Sequence, residues 1–531
     1  MNFAHGWKES SAVDSRINAA LSRLPDYLAQ HVLLSGCALA VGVLISLPLA
    51  IAASWSPRLR WPILALASLI QTIPSLALLA LFYPLLLAIS ALSQRTFGHG
   101  FAALGFLPSF LALTLYAMLP IIRNTVTGLA GVDPDIREAA QGVGMTQRQS
   151  LMKVELPLAA PVIMAGLRTA SIWVIGTATL STPVGQTSLG NYIFTGLQTE
   201  NWVFVLFGCA AAAGLALVAD QLFGLIESGL ACRNRQRLMA GSLGLAVGVV
   251  TAILPLAAKA KSDYVIGGKT FSEQYILSNL IVEQLARHGL TARQSSGLGS
   301  SIILRALGNN EIDAYVEYSG TVWTNAMGRR DNPGRQIVLR EVSDWLKLNR
   351  GVSMLGSLGF ENAYALAMRR SQAETLAIRT IEDLAGHAPS LRIGGDYEFF
   401  ARPEWQALRQ SYGLAFRSQT EYQSSFMYRA VAEGQVDVIS AFSSDGRNAA
   451  YDLVVLEDPR QAIPPYDALL LVSPRRARDA VLRAALHPLI GAISVQAMRR
   501  ANELVDDRGA SPQQAARELE EMIGLRTATR Q

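Results

Sequence analysis

At 531 residues, half of them hydrophobic and only 16% charged, the chain is long enough for several domains and too apolar for a single ordinary soluble one. The net charge of +5 is modest for this length and gathers in no dense basic face, which argues against a nucleic-acid partner. The three cysteines, Cys37, Cys209 and Cys232, all lie in or beside apolar segments, and the six histidines form no metal-spaced pair, so no disulfide framework, metal site or cofactor is expected.

Along the chain, residues 31–258 are dominated by Leu, Ala, Ile and Val, whereas residues 262–531 have ordinary globular polarity. A membrane span takes roughly 20 apolar residues. Candidate spans are 31–53, 61–90, 104–122, 159–182, 202–226 and 238–258. The second carries Pro62, Pro74 and Pro84, which predicts a kink or break tolerated inside a bundle. Arg58 and Arg60, then Arg123, Arg137, Arg148 and Lys153, then Arg233, Arg235 and Arg237 fall in three loops that share one side of a six-span layout. The positive-inside bias makes that side cytoplasmic, although Lys8, Arg16 and Arg23 at the outer N-terminus run against it. Residues 233–260 also have the form of an internal signal sequence, ending in Ala258-Lys259-Ala260. Cleavage there and an uncleaved anchor both remain open, and either puts the C-terminal half outside the cytoplasm.

Between the third and fourth spans lies a polar hairpin, 133–157. Asp133-Pro134 reads as a helix start, Gly142 and Gly144 as its end, Thr146 as the cap of a second short helix, and Pro157 as that helix's stop. Ala139 and Ala140 are small enough to admit a close partner surface. The pattern Glu138-Ala139-Ala140, three residues, Gly144, nine residues, Val154, then Leu156-Pro157 resembles the loop by which permeases of bacterial ABC importers grip their ATPase. Glu138, Ala139, Ala140, Gly144, Leu156 and Pro157 are the coupling residues this resemblance implies. Gly268-Lys269-Thr270 is no phosphate-binding loop, because the glycine needed five residues before Gly268 is Asp263. A separate ATPase subunit is therefore implied.

Gln71-Thr72-Ile73-Pro74-Ser75-Leu76-Ala77, Leu119-Pro120-Ile121-Ile122-Arg123-Asn124-Thr125 and Gly166-Leu167-Arg168-Thr169-Ala170 further resemble the permeases of the osmoprotectant (glycine betaine/choline/carnitine) uptake family. From Tyr264 the pattern becomes alternating strands and helices. Tyr264–Gly267, Arg392–Asp396 and Val436–Ser440 read as strands. A helix from Ser272 has apolar positions 276, 277, 280, 281 and 285. This half resembles the substrate-binding proteins of the same family at Gly268-Lys269-Thr270-Phe271-Ser272-Glu273-Gln274, Glu317-Tyr318-Ser319-Gly320-Thr321, Asn362-Ala363-Tyr364, Glu398-Phe399-Phe400-Ala401-Arg402, Met427-Tyr428-Arg429-Ala430 and Ala441-Phe442-Ser443-Ser444-Asp445.

The resemblance implies a helical transmembrane permease followed by a two-lobed α/β periplasmic-binding-protein (type II) domain. The expected division is an N-terminal segment 1–30, a five-span permease 31–230, a sixth span or anchor with linker 231–261, and an external domain 262–531. The external domain would have one lobe of 262–365 with 466–531 and another of 366–465. A quaternary ammonium has no N–H to donate, so ring faces must recognise it through cation–π attraction of roughly 0.5–2 kcal/mol per contact. By resemblance, Tyr318, Tyr364, Tyr428 and Phe442 wall the cage, Arg402 takes a betaine carboxylate, and Thr321 and Lys269 add donors. Phe442 stands where the family commonly has Tyr, which leaves the headgroup open. Trp323, Trp345 and Trp405 are read as structural.

The expected protein is a multi-pass component of the bacterial cytoplasmic membrane with its C-terminal domain outside. Its expected partners are an ATPase dimer, a second copy of itself, lipid and a small trimethylammonium solute. The alternatives are import of another such compound, for example ergothioneine, or a membrane-anchored receptor without transport. A sensor has no use for an ATPase grip. An enzyme lacks support, for no nucleophile–base pair or motif-framed acid pair is present.

Overall fold

The computed structural model describes residues 3–97, 101, 103, 105–198, 201–258, 262–396 and 398–525. Lys259 and Ala260 of the candidate cleavage triplet lie outside the described residues. Two compact units result, one built on Ile17–Phe194 and Phe204–Ala260, the other dominated by Lys261–Gln531.

The first unit is helical. Its elements are α1 (Phe3–Trp55), α2 (Pro57–Thr72), α3 (Ser75–Phe97), α4 (Phe106–Ala130), α5 (Pro134–Gly142), α6 (Gln147–Ser150), α7 (Leu156–Ala178), α8 (Gly190–Gln198), α9 (Trp202–Ala231) and α10 (Arg235–Ala258). Among the described residues, six stretches are long and apolar enough to cross a membrane: Arg16–Trp55, Ser75–Phe97, Phe106–Ala130, Gln147–Val184, Trp202–Ala231 and Arg235–Leu256. The helix of the first begins far upstream of residue 31 and runs unbroken to Trp55, even through Pro25 and Pro48. The expected second span divides at Ile73, whose extended backbone (φ −72°, ψ 126°) is what a following proline favours. The Tyr116 hydroxyl donates to the Ile73 carbonyl, so this backbone oxygen at the break is satisfied within the bundle.

Small side chains let α1, α4 and α7 approach closely: Ala38, Ala117, Ala170 and Ala178 interleave with Leu34, Leu113, Ile121 and Val174 in one buried cluster. Arg168 of α7 meets Asp220 of α9 in a two-pronged pair, Nε–Oδ1 2.5 Å and Nη2–Oδ2 2.8 Å, with Glu227 Oε2 3.5 Å from Nη1. Charges on apolar spans are costly unless paired in this way.

The second unit holds two five-stranded sheets. Their strands are β1 (Tyr264–Gly268), β2 (Ala292–Ser296), β3 (Ala314–Tyr318), β4 (Ser353–Glu361), β5 (Tyr364–Arg369), β6 (Arg392–Asp396), β7 (Ser418–Tyr422), β8 (Val438–Phe442), β9 (Leu453–Val455) and β10 (Asp467–Val472). The orders are β2-β1-β3-β10-β4 and β7-β6-β8-β5-β9. In each sheet three neighbouring strands run parallel, and one antiparallel strand (β10 or β5) joins them to the edge. The chain enters the second sheet at Tyr364 and returns to the first at Asp467. The helix after β1, α11 (Ser272–Arg287), buries Ile276, Leu277, Leu280, Ile281 and Leu285, the five positions its periodicity marked.

Candidate functional site

The two sheets present the C-terminal ends of β1, β3, β6 and β8 to one cleft, the place where ligands bind in parallel α/β sheets. A cavity of about 200 Å³ lies there. Lys269, Tyr318, Thr321, Tyr364, Arg402 and Phe442 all line it, so six of the seven residues expected from the sequence converge. Sheet register sets part of this lining directly: Tyr364 is paired with Phe442 across β5 and β8, and their rings lie 4.8 Å apart.

Tyr428 is the seventh, and it is not among the lining residues. Its helix, Ser424–Ala432, packs it fully buried against β8. Its hydroxyl accepts the Phe442 backbone N–H (3.0 Å), and its ring carries the Arg447 guanidinium at 4.4 Å. Tyr428 thus positions Phe442 from behind instead of walling the cavity.

Two further rings complete the lining. Phe271 lies near-parallel to Phe442 (6.3 Å, 4°) and stacks on Tyr318 at 6.1 Å. Tyr466 meets Tyr364 edge-on at 6.3 Å, and a Cβ at Gly320 would collide with its ring, which is why the Glu-Tyr-x-Gly-Thr element needs glycine there. Phe271 sits within a motif noted in the sequence, directly after the Lys269 turn. Tyr466 carries no sequence signal, because it reaches the cleft from just before the returning strand β10.

The polar groups differ from the resemblance's picture. Arg402 does not offer a free fork. Its Nη1 is 3.0 Å from Glu398, its Nε and Nη2 are 3.3 and 3.1 Å from Glu404, and its guanidinium lies 4.9 Å over the Tyr364 ring. Burial opposes the charge on Arg402, but Tyr364, Tyr466 and Glu404 hold its pKa well above the usual value. Burial likewise pushes Glu404 up, and Arg402 and the Tyr466 hydroxyl outweigh it and hold the carboxyl below its usual range. Lys269, also buried, pairs with Glu317. Both cations of the lining are therefore already neutralised.

Glu273 lies behind Tyr318 and accepts four hydrogen bonds: Tyr318 Oη (2.5 Å), Ser444 Oγ (2.6 Å), Asn502 Nδ2 (2.9 Å) and Asn362 Nδ2 (3.0 Å). These donors come from both lobes, the crossover and the C-terminal helix Val495–Asp506. Burial raises the Glu273 pKa above the ordinary carboxylate range despite them. Trp323 and Trp405 are buried elsewhere and do not line the cavity.

The hairpin of the helical unit also has a defined shape. Asp133 caps α5 through the Asp135 N–H (2.9 Å), and Thr146 and Gln149 form a reciprocal capping box on α6. Gly144 has φ +82° with open space around it. Glu138, Ala139 and Pro157 are exposed, and Leu156 is half-buried. Ala140 is buried, so only Ala139 of the pair offers an approach surface. Glu155 ties the two arms, accepting Arg137 Nε and Ser150 Oγ, each at 3.1 Å. Pro157 does not stop the helix as its sequence position suggests. A π-helical turn, Leu151–Glu155, precedes it and places it in the first turn of α7, where a proline without N–H is tolerated.

Residues 262–519 match the family model described as the substrate binding domain of ABC-type glycine betaine transport systems. Residues 42–231 match the inner membrane component of binding-protein-dependent transport systems. The choline transport system permease protein of Bacillus subtilis (strain 168) is 39% identical over 209 residues, covering 39% of this chain and 89% of that protein. The ergothioneine transport permease/ergothioneine binding protein of Helicobacter pylori (strain G27) is 29% identical over 510 residues, covering 92% of this chain and 87% of that one. A solved glycine betaine/carnitine/choline ABC transporter structure covers 49% of this chain and 98% of its own at 30% identity, with a TM-score of 0.44.

Fold and matches together define an ABC-importer permease continuous with its own substrate-binding domain. The chain belongs to the osmoprotectant (glycine betaine/choline/carnitine) uptake family. Its helical half resides in the bacterial inner membrane and its C-terminal half is a binding domain of periplasmic type.

Proposed function

We propose that this chain captures and imports a trimethylammonium solute such as glycine betaine, choline or carnitine, powered by a separate ATPase dimer that grips the 133–157 hairpin. The observation that carries the solute class is a cavity lined by five aromatic rings, Phe271, Tyr318, Tyr364, Phe442 and Tyr466, whose flanking cations are already paired. Ring faces attract a cation that cannot donate a hydrogen bond, and the spent cations leave no free positive charge to repel it. Two chains supply the two halves of one pore, with lipid around them. Solute held between the lobes is delivered to the pore, and ATP binding in the partner moves the hairpins and switches the pore's open side.

A second reading, import of ergothioneine, is favoured by one observation: the H. pylori protein of that name shares this permease-and-binding-domain layout along 92% of the chain. Ergothioneine also carries a trimethylammonium group. Calorimetry on the full chain in lipid nanodiscs, titrated with choline, glycine betaine, carnitine and ergothioneine, separates the two readings. Binding of none of the four would overturn the solute class. Binding of ergothioneine alone would replace the first reading with the second.

A further inference from the structure

Two oxygens on the cavity's lining residues accept no hydrogen bond. Asp396 ends β6 with its side chain more than nine-tenths buried. Its Oδ1 accepts the backbone N–H groups of Glu398 (2.8 Å) and Phe399 (3.1 Å), and the Tyr364 hydroxyl lies near the carboxylate, but its Oδ2 has no donor within hydrogen-bond distance. Asn362 lies at the crossover between the sheets. Its Nδ2 donates to Glu273 at 3.0 Å, which fixes the amide's orientation, and its Oδ1 has no donor either. Both residues line the same cavity as the five rings. A buried acceptor left unmet is destabilising, so such groups in a binding cleft call for a ligand donor. The cavity's strongest donors are meanwhile spent: Lys269 on Glu317, and Arg402 on Glu398 and Glu404.

From this geometry, and resting on the trimethylammonium reading above, we infer that Asp396 and Asn362 are specificity residues that accept a hydrogen bond from the solute. The site therefore favours trimethylammonium compounds carrying an O–H or N–H donor over those with none. The hydroxyl of choline or carnitine and the ring N–H of ergothioneine supply that donor. Glycine betaine has a carboxylate and three methyl groups but no donor, and it meets an arginine already held by two carboxylates. A site that hydrogen-bonds a ligand O–H discriminates against the analogue lacking it, because its own polar groups are then left unpaired.

The test uses the full chain in nanodiscs and a probe pair of equal charge, choline and its O-methyl ether, so that loss of the Asp396 charge does not bias the comparison. Calorimetry should find choline bound about ten-fold or more tighter than the ether. In Asp396→Ala that ratio should fall toward one, with Asn362→Ala lowering it in part. Equal affinity in the wild type would overturn the inference. So would a ratio that persists in Asp396→Ala, since the ether would then be excluded by size. Where a variant unfolds, its melting curve shows it, and the milder Asp396→Asn carries the test with a smaller expected drop. Loss of all trimethylammonium binding in the wild type would strike the underlying reading itself, an outcome distinct from an unchanged ratio.

Discussion

At the scale of single residues, five ring faces converge on one cavity, and substitutions separate its walls from their supports. Tyr364 touches Phe442 and Phe399 and carries Arg402 on its face. Tyr364→Ala is expected to weaken solute binding by about ten-fold or more by calorimetry, since a desolvated cation–π contact is worth up to roughly 2 kcal/mol. Tyr428→Phe keeps the ring under Arg447 and loses the hydroxyl that accepts the Phe442 N–H and faces Asp445, so a reduction of no more than a few-fold is expected. An equal loss in both would restore Tyr428 to the cage wall. Glu273 supplies a pH dependence. Its folded pKa is raised by burial, so the native state holds its proton more tightly than the unfolded chain does. Stability from this group is full below the unfolded value of about 4.3 and is lost as pH rises through the folded value. Melting temperatures of wild type and Glu273→Gln across pH should therefore shift in favour of the variant as pH rises through that window. A difference that is constant with pH would contradict the raised value.

At the scale of elements, helix ends and helix pairs set the mechanics. Gly144 has a left-handed backbone with no crowding, so the obstacle to another residue is its own Cβ, about 1–2 kcal/mol. Gly144→Ala should lower uptake in a reconstituted ATPase-driven assay with solute affinity unchanged. Gly144→Asn, which tolerates that conformation, should retain more uptake. In the membrane half, Asp220→Leu would strip Arg168 of its two-pronged partner within apolar helices. The melting temperature should fall, and the double variant Arg168→Leu/Asp220→Leu should recover most of it, because an unpaired charge costs more than an absent pair. Failure of the double variant to recover would mean the pair does more than neutralise itself.

At the scale of the whole molecule, the proposed solute cavity and the proposed coupling hairpin lie in separate units of one chain. Substitutions at Glu138 or Ala139 should leave calorimetric binding intact while abolishing ATP-driven uptake, whereas Tyr364→Ala should weaken both. The hairpin carries exposed apolar side chains, Ile136, Val143 and Met152, and the proposed ATPase contact predicts that polar substitutions there lower uptake with solute binding unchanged. A reconstituted complex with its ATPase should titrate with two solute molecules, one per chain. A ratio of one solute per complex would contradict the two-chain pore.

Much of this was legible in the residues themselves. Runs of apolar residues, the period of α11 and the Arg392–Asp396 strand all record local physics, because hydropathy and periodicity are set by burial along a single element. The motif residues likewise named most of the cleft. Tertiary structure decided what depends on facing and long-range register. Tyr428 turned behind β8, because the helix pattern does not say which side of a strand it backs. Phe271 and Tyr466 came forward as walls, the second from just before a strand returning about 150 residues after β3. Pro157 stayed inside a helix because a π-helical turn absorbed it. Arg402 spent its fork on two glutamates, while Asp396 and Asn362 kept an oxygen unmet. Charge pairing and hydrogen-bond satisfaction are properties of neighbours in space, so only the assembled cleft could show which of its polar atoms were left without a partner.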